Sequence, residues 1–189
     1  MEPIHAALAF MIVHAGLGAF DTFVNHEWRE HLPRRPTAAT ELALHAGRSL
    51  MFGVIFAGSA WVEWHGAWGW AMLAFMAGEF GVTLVDSVVE DRTRRLAPLE
   101  RVNHLLLALN TGIYMAFFGA QVASRWQDLP TALVPAHHPA ILVWPLTAAT
   151  AAVLVWTVRD ALAARRLAPS PESAAAHPPR DAAALKPRA

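Results

Sequence analysis

Five apolar stretches dominate the chain, at about Ile4–Val24, Thr40–Val62, Ala67–Val89, Leu99–Ala123 and Ile141–Val158. Each is close to the roughly 20 residues that an α-helix needs to cross the hydrocarbon layer of a bilayer. Pro36, Pro98 and Pro139 stand just ahead of runs two, four and five. At the start of a helix a missing N–H costs nothing. Thr37 or Thr40 can cap the second helix, and Glu41 falls in its first turn, where a negative charge complements the helix dipole. The pattern predicts an all-α, polytopic membrane protein. It consists of a four-helix transmembrane bundle plus a fifth transmembrane helix, all within residues 1–166. Residues 167–189, rich in Ala, Pro and Ser, are expected to form a disordered cytoplasmic tail.

The polar residues that interrupt the runs recur at helical spacing. At roughly 100° per residue, His14, Asp21 and Asn25 share one face of the first run. Glu41, His45 and Arg48 share a face of the second, Glu79, Asp86 and Glu90 of the third, and Glu100, His104 and Thr111 of the fourth. The fifth run has no ionisable residue between Ile141 and Val158. A charged side chain in a membrane-spanning helix costs about 2.5–3.5 kcal/mol on insertion scales, and such residues normally face a shared polar interior.

Arginines set the expected orientation. The first connection holds Arg29, Arg34 and Arg35, the third holds Arg92, Arg94 and Arg95, and Arg159, Arg165 and Arg166 follow the fifth run. The second connection has no basic residue and the fourth has only Arg125. The positive-inside rule then puts the N-terminus outside and the C-terminus in the cytoplasm of a multi-pass inner (cytoplasmic) membrane protein. In that orientation all four polar stripes converge on the cytoplasmic third. Trp61, Trp64, Trp68, Trp70, Trp126 and Trp144 fall near the outer interface as an aromatic belt. The N-terminus lacks the basic segment of a signal peptide, so the first run reads as a retained helix.

Composition agrees with this class and removes others. Of 189 residues, 55% are hydrophobic and 16% charged. Lys+Arg and Asp+Glu balance at 15 each, which leaves no nucleic-acid signature. The absence of cysteine excludes thiolate metal sites, cysteine nucleophiles and iron–sulfur ligation. No Gly-x-Gly-x-x-Gly or Walker sequence is present.

Read as potential ligands, the stripes follow an order: carboxylate (Asp21), Glu41-x-x-x-His45, carboxylate (Asp86 or Glu90), Glu100-x-x-x-His104. This resembles the scheme of di-iron carboxylate four-helix proteins, the ferritin-like proteins and the membrane alternative oxidases. There, two helices give a carboxylate and two give a Glu-x-x-His pair. The pairs here are spaced i,i+4 instead of i,i+3, which keeps one face but changes the bridging geometry. The resemblance is architectural and spans Asp21–His104. It implies two metal ions, iron first with manganese or zinc as alternatives, held by Asp21, Glu41, His45, Asp86, Glu90, Glu100 and His104. His14, Asn25, His26, Arg48, Glu79 and Asn103 are supporting residues or alternative ligands, and Arg48 can pair with a leftover carboxylate such as Glu79.

Blander roles compete. Glu90 and Asp91 can pair with headgroup arginines, and Glu100 can simply complement a helix dipole. His26 and His31 lie in the first cytoplasmic connection and read as surface residues before ligands. His5, His65, His137, His138 and His177 read as interfacial or solvated.

The leading expectation is a membrane metalloenzyme of oxidase, hydroxylase or desaturase type. It would carry a dinuclear non-haem centre, act on an apolar, lipid-like molecule and take electrons from a partner protein. The histidine boxes of the usual membrane desaturases are absent. The alternatives are a bis-His haem b electron-transfer protein using His45 and His104, and a proton or ion transporter. The small-residue run Thr147-Ala-Ala-Thr-Ala-Ala permits close helix contact, within the bundle or in a homodimer.

Overall fold

The computed structural model describes residues 2–93 and 95–168. The expected disordered tail therefore lies almost wholly outside the described residues. Among these, five helices are long and apolar enough to cross a membrane. They are α1 (Pro3–Phe20), α2 (Ala39–Trp61), α3 (Ala67–Thr93), α4 (Pro98–Gln121) and α5 (Ala140–Leu167). Proline at the first turn opens α1 and α4.

Two helices change winding at their C-terminal ends. Beyond Phe20, α1 runs on as a π-helix over Asp21–Arg29, closed by the Glu30 N–H donating to the Asn25 carbonyl at 2.9 Å. Beyond Gln121, α4 does the same over Val122–Trp126. α-Helical winding was the expectation for the first run, and the π segment changes which residues share its face. α5 also continues past Val158, so Arg159 and Asp160 are helical.

The helices pair most extensively as α2 with α5 and α1 with α4, with α3 bridging α2 and α4. α5 is thus a packed member of the bundle, with Ala149 of its small-residue run against the core and Ala148, Ala151 and Ala152 exposed. α1 and α4 are clamped by three amide side chains. The Asn103 Nδ2 donates to the Leu17 carbonyl at 3.3 Å, and the Asn110 Nδ2 to the Phe10 carbonyl at 2.9 Å. The Gln121 Oε1 accepts from the Ile4 N–H at 3.2 Å. In lipid such bonds replace solvation that the bilayer cannot supply. Asn103, expected to orient a ligand, is committed to this clamp.

One half of the bundle is filled by apolar side chains, among them Leu8, Met11, Phe56, Met76 and Phe118, which are essentially inaccessible. The other half holds the polar stripes. The apolar end is closed by the second and fourth connections, which pair as a small antiparallel ribbon that the helical expectation did not include. Strand β1 (Val62–Trp64) meets β2 (Leu133–Pro135), with Glu63 opposite Val134. Four of the expected belt tryptophans, Trp61, Trp68, Trp70 and Trp144, are exposed. Trp126 is buried, and Trp64 turns inward to donate to the Gly58 carbonyl at 3.0 Å.

Candidate metal centre

The donors come from the C-terminal end of α1 with its π extension, the N-terminal end of α2, the C-terminal end of α3 and the N-terminal end of α4. Antiparallel order brings those four ends to the same level. Asp21, Glu41, Glu90 and Glu100 are buried, the last three at 1% exposure, together with His26 at 4%. His45 and His104 are partly buried beside them.

Two groups of donors form, and they overlap. Asp21, His26, Glu100 and His104 each offer one ligand atom within 4.8 Å of the others. His26, Glu41, His45 and Glu90 do the same. His26 belongs to both. Its Nε2 lies 3.5 Å from Asp21 Oδ2, 3.7 Å from Glu100 Oε1 and 3.9 Å from Glu90 Oε1. The Asp21 Oδ2 is also 3.2 Å from His104 Nε2, while its Oδ1 accepts from Asn25 Nδ2 at 2.7 Å. Glu90 spans the two groups: its Oε1 is 3.7 Å from His45 Nε2 and its Oε2 is 3.4 Å from His104 Nδ1.

The expectation that His26 is a surface residue first and a ligand second does not fit its 4% exposure. In an α-helix it stands about 140° from Asp21, five steps of roughly 100°. The π winding bonds i to i+5 and sets the pair on one face. The sequence signal that could have found it is the cluster Asp21-x-x-x-Asn25-His26, read with an i,i+5 repeat. His31 is exposed on a left-handed backbone, with φ 49°, and stays outside the cluster.

Asp86 is set apart from both donor groups. Its Oδ2 accepts from Arg48 Nη1 at 2.6 Å and lies 3.1 Å from His45 Nε2. Arg48 Nε reaches Glu79 Oε1 at 3.4 Å, and Glu79 Oε1 also accepts from the Thr83 hydroxyl at 2.8 Å. Arg48 therefore joins two buried acids instead of Glu79 alone, and Asp86 shares the His45 Nε2 with Glu90. Asp91 is exposed, whereas its neighbour Glu90 points inward.

On the far side of His26 and His45 lies a cavity of about 390 Å³. Besides His14, its polar lining is Asp21, Thr22, His26, His45, Arg48 and Ser49. Its body is apolar: Phe52 and Phe56 of α2, Leu107 of α4, and Ala148, Ala149, Ala152, Val153 and Trp156 of α5. The volume falls within the ~300–1,000 Å³ of small-molecule sites. At the seam of α1 and α5, Ala19, Ala148 and Ala152 are exposed lining residues. His14, expected among the supporting residues, lies two turns up α1 from Asp21 and lines this cavity.

Asp160 is a further buried acid that the hydropathy pattern missed because it follows the last apolar residue of run five. It accepts from Arg159 Nη1 at 2.8 Å, and Arg159 also pairs with Glu27, the neighbour of His26.

No protein-family model, no curated protein and no solved structure matches this chain.

Proposed function

We propose that this protein is an integral membrane metalloenzyme with a dinuclear non-haem centre near the cytoplasmic face, acting on an apolar, lipid-like molecule. The observation that carries the reading is the pair of donor groups sharing His26 and abutting an apolar cavity. Apart from Asp160, which Arg159 holds, six carboxylates, Asp21, Glu41, Glu79, Asp86, Glu90 and Glu100, are buried in this half of the bundle, and Arg48 is the arginine that faces them. Buried charge of one sign is costly unless it is compensated. Two divalent cations and Arg48 would offset all but one of those negative charges.

In this reading Asp21, Glu100 and His104 hold one ion, Glu41 and His45 the other, and His26 and Glu90 lie between them. Oxygen and imidazole donors suit iron, with manganese and zinc compatible. With iron, the centre would supply oxygen-dependent oxidation of a carbon held in the cavity, with electrons from a partner protein. Asp86 meets the same His45 Nε2 that faces Glu90, so it stands next to the second ion's position, where Arg48 holds it. Access from the bilayer runs along the exposed alanines between α1 and α5. The arginine distribution supports an inner-membrane protein with its N-terminus outside.

The two alternatives fit less well. A bis-His haem needs a flat slot between His45 and His104, but Glu90 reaches both rings. A proton or ion path needs polar groups across the whole bilayer, but the other half of the bundle is filled mainly by an apolar core without ionisable stripes.

The test is elemental analysis of protein purified without chelator or nickel resin. About two transition-metal ions per chain are expected, with a steep loss in Glu90→Gln and none in His137→Ala. Wild-type protein without stoichiometric metal would end the reading.

A further inference from the structure

Nδ1 of His14 and Nε1 of Trp156 are buried atoms of cavity-lining residues that have no hydrogen-bond partner among the described residues, and of the two groups only the imidazole can both donate and accept. His14 is 5% exposed and lines the cavity. Its ring stacks on Phe52, centroids 4.7 Å apart, and meets Tyr114 edge-on at 5.5 Å. These contacts fix the ring but leave Nδ1 without a hydrogen-bond partner. A buried polar atom left in this way costs free energy that a ligand can recover. In its neutral form an imidazole offers one donor and one acceptor, which matches a hydroxyl or carbonyl group.

The charge around the cavity narrows the choice further. Arg48 lines it too, but its guanidinium is already held by Glu79 and Asp86. An anionic head placed there would meet two carboxylates and no uncommitted cation. Apart from the hydroxyls of Thr22 and Ser49, the remaining wall is aromatic and aliphatic. His14 and Asp21 are seven residues apart on one helix, a rise of about 10.5 Å. A molecule anchored at His14 thus extends two helical turns to reach the rim formed by Asp21, His26 and His45.

We infer that this cavity binds an uncharged amphiphile, an alcohol or carbonyl compound with an extended hydrocarbon body, whose single polar group hydrogen-bonds His14 and whose distant carbons approach the donor groups. The inference names the substrate class for the function proposed above and rests on that reading for its catalytic meaning. Occupancy of the cavity can be measured separately from metal.

Trp156 lines the cavity and reports on it. Protein in lipid nanodiscs is titrated with ω-bromodecanol, bromodecane and ω-bromodecanoate. Bromine quenching of Trp156 is isolated as the difference between wild type and Trp156→Phe. Saturable quenching by the alcohol is expected, about tenfold tighter than by the alkane or the carboxylate. His14→Phe removes that preference, and His14→Asn, which keeps a hydrogen-bonding group near the Nδ1 position, restores part of it. Equal binding of alcohol and alkane by wild type, or an unchanged preference in His14→Phe, overturns the inference. Metal content is measured on the same samples. Selective alcohol binding in metal-free wild-type protein would sustain this site while removing the metalloenzyme reading. Full metal with no preference would do the reverse.

Discussion

His26 lies over His45 with ring centroids 4.3 Å apart and planes 28° from parallel. The two rings come from the π extension of α1 and the second turn of α2. α1 and α2 otherwise touch little. Their meeting joins the two donor groups, because His26 is the member common to both.

Loss of His26 should therefore cost more metal than loss of a residue in a single group. His26→Ala is expected to lower the bound metal by well over half. Glu100→Ala, confined to the first group, should remove about half. Mass spectrometry of metal per chain separates the two, and equal losses would mean that His26 does not link the groups.

Arg48 holds Asp86 and Glu79, whose side chains are each 1% exposed. Arg48→Met leaves both acids without their cation. Removing one partner of a buried pair costs about 3–5 kcal/mol. The thermal midpoint in detergent should fall sharply, and adding Glu79→Gln should recover part of it. A double variant no more stable than the single one would show that Glu79 is not charged in the folded protein.

Arg159 pairs with Glu27, contacts Asp160 and lies 5.7 Å from the Trp156 ring centroid. It ties the π segment to α5 next to His26. Arg159→Ala should weaken metal binding by at most about tenfold, without abolishing it, as measured by competition with a chelator. Unchanged affinity would mean that the π winding holds His26 without help from α5.

Gly66 turns the chain between β1 and α3 with φ +58°, in the left-handed region. A Cβ there would stand 2.5 Å from Thr131 Oγ1 and 2.9 Å from the Leu129 carbonyl oxygen. Gly66→Ala should destabilise by at least ~1–2 kcal/mol. Metal content should stay normal, because the ribbon lies at the opposite end of α2 and α3 from the donors. Thermal unfolding and elemental analysis on one sample test both halves.

Much of this was legible in the chain. Apolar runs of bilayer length mark helices because, in lipid, backbone groups must be satisfied within the segment. Stripes of acid and imidazole at helical spacing mark inward faces because charge facing lipid is too costly. Asp21, Glu41, His45, Glu90, Glu100 and His104 were placed on those faces by periodicity, and the structure brings them together.

What periodicity could not supply was the winding of each segment and the choice of partner at each acid. His26 enters the cluster only because Asp21–Arg29 is π-helical, and a pattern counted at 3.6 residues per turn points it elsewhere. Asp86 and Glu90 lie four apart on one face, yet Asp86 is taken by Arg48 and Glu90 is not. That selection depends on the relative height of α2 and α3, which no single-segment pattern contains. The cavity is of the same kind: it lies between α1, α2 and α5, and no one of these segments taken alone contains it. The residues by themselves determined which faces turn inward, since that follows from the cost of exposing them to lipid. Only the packed bundle decided which inward groups meet, because contact between helices depends on their offset and winding.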